Sequence, residues 1–342
     1  MDAYWRQYKL VELVENIKNN IVQTNFDVNH DLAARAAWLS YIGGLSQTQI
    51  AERLGVSKVK IHRLINLAQK LGIIKAYVEN VPHACINLEN ILIDKFGIKS
   101  CLIVPDLVED CDDSDRHYPA IGAAGARFLQ TYLENKSTKS IGVGKGRTLT
   151  SAVKQLIKID RPDVKIYSIA GSLYRSLAAN PYDVVLPLSR HLGGLGYFLP
   201  VPYIATNLEE KRQFQSQKFV QELLTMAQDA DLFVIGLGAL GEGSHVVSTG
   251  MMSEEERLEV CAKGAVSDLL GSFLDINGSL VDAPVNELKV GLHYEDLKGK
   301  QVLAMAGGAD KAKAILAALR ANVITDLISD EAAANAIVKL LN

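Results

Sequence analysis

Leu45-Ser-Gln-Thr-Gln-Ile-Ala-Glu-Arg-Leu-Gly-Val-Ser-Lys-Val-Lys-Ile-His-Arg-Leu-Ile-Asn66 is the stretch from which the rest of the chain can be read. Ser46 stands where a helix needs a cap, and Gln49 three residues on completes a capping box. Leu45 and Ile50 have the spacing of a hydrophobic staple across that cap. The pattern repeats at Ser57, with Val56 and Ile61 at the staple positions. Gly55, between the two, can take the left-handed conformation that ends a helix. Two short helices joined by a tight, glycine-containing turn make a helix-turn-helix.

The second helix indicates the use of the unit. Ile61, Leu64, Ile65 and Ala68 recur at helical spacing and predict one buried face. Val59, Arg63, Asn66 and Lys70 fall on the opposite side, with Lys58, Lys60 and His62 at its flanks. Cations suit phosphates, while Arg and Asn pair bidentately with guanine and adenine edges. A helical hairpin with a solvated basic face would show the same charges, but two stapled caps and a second helix without acidic residues favour DNA. The expected contacts are Gln47, Ser57, Lys58, Val59, Lys60, His62, Arg63 and Asn66.

A chain of 342 residues suits two or three domains. With 48% hydrophobic and 22% charged residues it has the composition of a globular protein with a sizeable core. Its net charge of −3 is unevenly spread: residues 1–81 hold ten Lys and Arg against seven Asp and Glu, and the remainder is acidic. A mildly basic head on an acidic body fits a nucleic-acid-binding module joined to something else. Cys85, Cys101, Cys111 and Cys261 have neither metal spacing nor a disulfide pattern, so reduced thiols are expected. Met1-Asp-Ala-Tyr-Trp-Arg lacks the basic-then-apolar order of a signal peptide. No apolar run approaches the ~20 residues of a membrane span. A cytoplasmic protein without membrane contact is expected.

Residues 4–20 read as an amphipathic helix with Leu10, Leu13, Val14 and Ile17 on one stripe. Asn29-His30-Asp31 offers cap chemistry for a further helix that Gly43-Gly44 closes, and Ile73–Val78 reads as a strand, one side of a β-wing. The domain boundary is placed near Pro82, giving an N-terminal segment over 1–28, an all-α DNA-binding domain over 29–81 and a third region over 82–342. In that third region short apolar strands alternate with helices, the pattern of a parallel, Rossmann-like α/β sheet. Strands are expected at 101–104, 140–143, 164–169, 184–186, 232–237, 302–306 and 323–327. Helices are expected near 87–96, 119–134, 148–158, 208–228, 254–263, 311–320 and 331–341. Ligands of such sheets bind at the carboxyl ends of the strands.

Four loops there are candidates. Gly142-Val-Gly-Lys-Gly-Arg-Thr148 follows a strand and opens a helix: Gly144 and Gly146 admit an anion to the backbone, and Lys145, Arg147 and Thr148 add charge and a hydroxyl. The same glycines also suit a plain strand-to-helix turn. Gly236-Leu-Gly-Ala-Leu-Gly matches Gly-x-Gly-x-x-Gly, but Glu242-Gly-Ser-His opens a helix poorly, so Gly236 and Gly238 are read as a flexible loop beside the pocket. Asp268 sits in an apolar run, where a carboxylate needs a partner; it accepts ligand hydroxyls or caps Leu269. Asn277-Gly278 signals a hairpin turn. Lys311 follows Gly307-Gly308 in the first turn of a helix, where a cation opposes the dipole and an anion nearby is the expected reason. His191, His245 and His293 lack metal spacing and are assigned to packing or surface. No metal or cofactor is expected.

These pieces together resemble the SorC family of bacterial sugar-responsive transcription regulators over nearly the whole chain. The resemblance rests on Leu45–Ser57, Lys263-Gly-Ala-Val-Ser-Asp268, Ala306-Gly-Gly-Ala-Asp-Lys-Ala-Lys-Ala-Ile315 and Ser329-Asp-Glu-Ala-Ala-Ala334. It implies an effector domain similar to the glucosamine-6-phosphate deaminase and ribose-5-phosphate isomerase fold, phosphorylated sugars or polyols as effectors, and tetramers on palindromic operator DNA. The family's sugar and phosphate contacts fall on the glycine loop with Arg147 and Thr148, on Asp268 and on Lys311. Lys145 stands where many relatives have an aromatic residue, Ser267 where glycine is common, and the segment before residue 28 is longer than usual. The expected function is a sugar-responsive DNA-binding regulator. The rival is a sugar-phosphate isomerase or deaminase with an accessory DNA-binding module, which needs a carboxylate and a histidine at its pocket. A purely structural chromosome-binding protein would leave the glycine-rich loops unexplained.

Overall fold

The computed structural model describes residues 28–75, 82–106, 117–171 and 182–341. The helix expected over 4–20 and Cys111 lie outside these residues. The chain divides into two compact units, Met1–Ala76 and Tyr77–Asn342.

In the first unit, helix α1 runs through 28–42 and its last turn, Trp38–Ile42, is π-helical. Val28 to Asp31 are already helical. Asn29-His30-Asp31 therefore does not cap α1, and the Asp31 carboxylate instead accepts from Arg35 Nε at 2.8 Å one turn on. Helix α2 (Gln47–Leu54) begins at Ser46, whose side chain and that of Gln49 form the reciprocal capping box. Gly55, at φ 64°, ends it in the left-handed region, and Ser57 accepts from Lys60 N to start α3 (Lys58–Lys70). Ile50, Ile61, Leu64, Ile65 and Ala68 meet Ala33, Ala36 and Ala37 in one small core. Ile73–Lys75 form no strand: Ile73 N bonds Ala68 O at 2.9 Å, and Ile73 and Ile74 fold back onto that core. Residues 76–78 of the expected strand lie outside the described residues.

In the second unit, after α4 (His83–Phe96), a parallel sheet forms from β1 (Ser100–Val104), β2 (Ser140–Val143), β3 (Lys165–Ser168), β4 (Leu195–Tyr197), β5 (Leu232–Gly236), β9 (Val302–Met305) and β10 (Asp326–Asp330). Their order across the sheet is β1-β10-β9-β5-β2-β3-β4. Alternation along β5 shows why both faces are covered. Phe233 and Ile235 enter a core shared with α4, α9 (Lys218–Gln228), α13 (Ala312–Arg320) and α14 (Glu331–Leu341), whereas Leu232 and Val234 face α5 (His117–Glu134), α6 (Arg147–Gln155) and α7 (Val185–Leu192). Strands buried on both sides read as continuous apolar runs, which is how β5 and β9 appear in sequence. A smaller antiparallel sheet, β6 (Gly238–Ala239), β7 (Ala265–Leu269) and β8 (Ser272–Asp275), packs its own core with Tyr203, Met251 and Val260.

Several expected elements differ. Residues 184–186 open α7 rather than a strand, because Val185, Leu188 and Leu192 bury at helical spacing and Asp183 accepts from Val185 N. The last strand lies three residues beyond its expected start. The expected helix 208–228 breaks at Gln217 into α8 (Leu208–Ser216) and α9. Gly238 is in a strand rather than a flexible loop, and β7 and β8 are further short strands, with polar Ser267, Asp268 and Ser272 inside them, that the apolar pattern does not mark. Asn277-Gly278 does turn the chain: Gly278 has φ 81° and Leu274 bridges Leu280.

The small sheet is fastened to short helix α12 (Pro284–Glu287) by buried Asn286, whose amide accepts from Phe273 N at 2.8 Å and donates to Val281 O at 2.8 Å and Phe273 O at 3.3 Å. Asn286→Ala strands these groups out of water and is expected to cost about 1–3 kcal/mol in urea unfolding of the intact chain. A stability equal to wild type would show that the small sheet does not depend on this contact.

Candidate functional site

In the first unit the candidate surface is the outer face of α3. Lys58, Val59, Lys60, His62, Arg63 and Asn66 are all exposed there, with Ser57 at its start, while Gln47 at the start of α2 is half-buried. Ser46 and Ser57 set the two helix starts, and burial of Ile61, Leu64, Ile65 and Ala68 fixes which side of α3 turns outward. Asn66 and His62, one turn apart, lie 3.2 Å apart through Nδ2 and Nε2.

In the second unit, β2 and β5 are neighbours, yet the chain leaves β2 toward β3 and leaves β5 toward β9. Diverging connections open a crevice at the strands' carboxyl ends. A cavity of about 370 Å³ lies there. Of the residues expected to bind an effector, Lys145, Gly146, Arg147, Thr148, Gly236, Gly238, Asp268 and Lys311 line it, and Gly144 does not. Gly144 instead supports the loop from below, its N–H bonded to Val234 O at 2.9 Å.

The cations arrive from two separate strand ends. Arg147 is the first residue of α6, and Lys311 ends the 3₁₀ turn between β9 and α13. Both lie over the buried ring of Tyr118, the guanidinium 4.8 Å and the ammonium 5.3 Å from its centroid. Tyr118 carries no sequence signal because it belongs to α5, remote in the chain. The turn that delivers Lys311 depends on Gly307, since a Cβ there would stand 2.2 Å from Ile121 and 2.3 Å from the Asp330 carboxylate. That carboxylate accepts from Gly308 N at 2.7 Å.

Asp268 has the partner its burial requires: Tyr203 OH donates to it at 3.0 and 3.2 Å, and Gly271 N at 2.7 Å. It sits inside β7 and does not cap Leu269. Burial pushes its carboxyl above the ordinary range, opposed by these hydrogen bonds and by Lys289 and Lys145. Lys145 donates to Gly171 O at 2.7 Å and lies 4.0 Å from the centroid of the Tyr203 ring. Burial pulls its ammonium down to about 7. Lys289 is 1% exposed, and its Nζ has no hydrogen-bond partner among the described residues.

His245, for which the sequence suggests a packing or surface role, lines this cavity. Its ring meets Tyr182 edge-on at 5.0 Å, and its Nε2 has no partner among the described residues. Burial, then Arg147, Lys145 and Lys311, hold it down to about 4, so it is neutral at pH 7. Glu242 and Asp310 also line the cavity, which is therefore of mixed charge.

Residues 81–339 match the family described as "Putative sugar-binding domain". The erythritol catabolism regulatory protein EryD of Brucella abortus (strain 2308) is 33% identical over 312 residues, covering 91% of this chain and 98% of that protein. The chain belongs to the SorC family of sugar-binding transcriptional regulators. The transcriptional regulator LsrR of Escherichia coli O157:H7 is 27% identical over 335 residues, covering 94% of this chain and 99% of its own. In fold, the full-length sorbitol operon regulator SorC of Klebsiella pneumoniae superposes with a TM-score of 0.66 at 23% identity, covering 90% of this chain and 99% of that one. Among the described residues no helix is long and apolar enough to cross a membrane, and no cluster of His, Cys, Asp or Glu is arranged to hold a metal.

The histidine gives a pH test. An unfolded His binds a proton near pH 6.5 and this one near 4, so acidification through that window favours the unfolded chain. Stability should fall between pH 7 and 5, and His245→Leu should remove roughly 1–2 kcal/mol of that fall in denaturant titrations at the two pH values. Parallel losses in both proteins would show that His245 is solvated and charged near its ordinary value.

Proposed function

We propose that the chain regulates transcription of a carbohydrate catabolic operon, the first unit reading operator DNA through a helix-turn-helix and the second binding a small phosphorylated sugar or polyol. The observation that carries the effector reading is the convergence of Arg147 and Lys311 on one ring beside Thr148, at the open end of a parallel sheet. Two cations held side by side at the start of a helix suit a phosphate monoester. Asp268 and Lys145, on the same wall, suit hydroxyls. A relative named for erythritol catabolism supports a short polyol chain. The parallel sheet with its ligand crevice also supports a likeness to the sugar-phosphate isomerase and deaminase fold.

On this reading residues 29–81 form the DNA-binding domain and 82–342 the effector domain of a cytoplasmic homo-oligomer, most simply a tetramer, on a palindromic operator. One helix-turn-helix reads few base pairs, so paired half-sites supply the rest of the affinity. Arg63→Ala should weaken binding to a footprinted operator by roughly 1–3 kcal/mol and relax preference at one base pair. Wild-type affinity and selectivity would remove Arg63 from the interface.

The effector arm is tested by thermal-shift screening with polyol and sugar monophosphates, because a ligand of the native state raises its apparent stability. Lys311→Ala should weaken the best of them by roughly 1.5–3 kcal/mol in calorimetric titration, leaving unliganded stability within a few tenths. An unchanged dissociation constant would take Lys311 out of the site and favour an unphosphorylated effector.

A further inference from the structure

We propose that Lys289 is a hidden counter-charge that keeps the Asp268 carboxylate ionised, and so keeps one wall of the effector cavity able to accept hydroxyl groups. The proposal rests on the reading that this cavity takes a polyhydroxylated effector.

Lys289 is the outlier among the buried side chains. It is 1% exposed, it lies outside the cavity lining, and its Nζ reaches no acceptor among the described residues. A buried ammonium without a hydrogen bond is destabilising, and an apolar residue of similar length would normally replace it. Its position offers a reason. Ile204 bridges Lys289, and Ala205 N bonds Leu288 O at 2.9 Å, which fastens residue 289 beside Tyr203. A Cβ on Gly271 would stand 3.6 Å from Lys289 Cδ and 3.2 Å from Tyr203 Cζ. The lysine stem therefore runs past Gly271, whose N–H donates to Asp268 and which also abuts the ring of Tyr203, the other donor to that carboxylate.

Asp268 thus has two lysines in its field, Lys145 on the cavity wall and Lys289 in the interior. The charged groups acting on Lys289 are Asp268 first, then Asp296, Glu295 and Lys211; those acting on Asp268 are Lys289 and Lys145, with Tyr203 hydrogen-bonded to it. Coulomb attraction persists over longer distances in a low-dielectric interior than in water, so no direct ion pair is required. The signs agree. Burial pushes Asp268 up and Lys289 down, the latter to about 7. Below pH 7 Lys289 is charged, and that is the side on which Asp268 would otherwise take up a proton. An ionised carboxylate only accepts hydrogen bonds, whereas a neutral one gives up one accepting site to an O–H donor.

The test uses the full chain carrying Lys289→Met, or Lys289→Gln should methionine not be accommodated. Difference infrared spectra of wild type against Asp268→Asn at about pH 6 should show carboxylate bands alone. Lys289→Met against the Lys289→Met/Asp268→Asn double variant should show a protonated carboxyl stretch. The second readout is calorimetric titration with glycerol 3-phosphate, erythritol 4-phosphate and ribitol 5-phosphate. The mutant-to-wild-type ratio of dissociation constants cancels titration of the phosphate ester itself. That ratio should rise as pH falls, by up to roughly tenfold per unit for one coupled proton, and Lys289→Arg should restore it. A protonated carboxyl in wild type, or none in Lys289→Met, overturns the counter-charge. The expected infrared bands with a flat affinity ratio overturn the hydroxyl-accepting wall. Expected bands with no polyol phosphate bound by wild type leave the counter-charge standing and overturn the effector reading instead.

Discussion

Strands β2 and β5 lie side by side, and the chain departs from them in opposite directions. That single topological fact opens the crevice on which the second unit is built, because no connecting loop crosses the gap between them. Glycines at the end of β5 and in β6 allow a close approach across it. A Cβ on Gly236 would stand 3.3 Å from Lys145 O, and a Cβ on Gly238 would stand 3.1 Å from Asp268 Cβ. The loop after β2 and the small sheet after β5 are thereby brought close enough for residues far apart in sequence to share one wall.

The cavity balances unlike groups rather than presenting one charge. Arg147 and Lys311 share the ring of Tyr118, while Asp268 is held by Tyr203 and Gly271. His245 remains neutral because three cations and its burial all oppose a proton. Such a wall suits a ligand with an anionic end and a hydroxylated body, since a purely anionic or purely apolar molecule would leave half of these groups unpaired.

A carboxylate and a histidine both line this cavity, so the pair that an isomerase or deaminase needs is present. Their presence does not decide for catalysis. A fold hosts unrelated functions, and the site's owner must be argued from its context. Here the context is regulatory: relatives matched over nine-tenths of the chain are named as a catabolism regulatory protein and a transcriptional regulator. The first unit adds a capped helix pair with an outward basic face, which an enzyme does not require.

The sequence by itself determined what local chemistry controls. Ser46 with Gln49, Gly55 and Ser57 specify two helix starts and the turn between them, because caps and left-handed glycines act within a few residues. The apolar runs of β5 and β9 mark strands buried on both faces, and the glycine loops mark strand ends. A weak local signal misleads at 184–186, where β-branched residues suggest a strand but open a helix whose burial pattern extends to Leu192. Only the tertiary structure could decide the partners. Tyr203 meets Asp268 across 65 positions, Tyr118 gathers two cations from different loops, and His245 is brought to the cavity by a sheet that sequence did not reveal. Those contacts are set by how the strands are ordered and how closely glycines let the backbone approach, and neither quantity leaves a periodic trace along the chain.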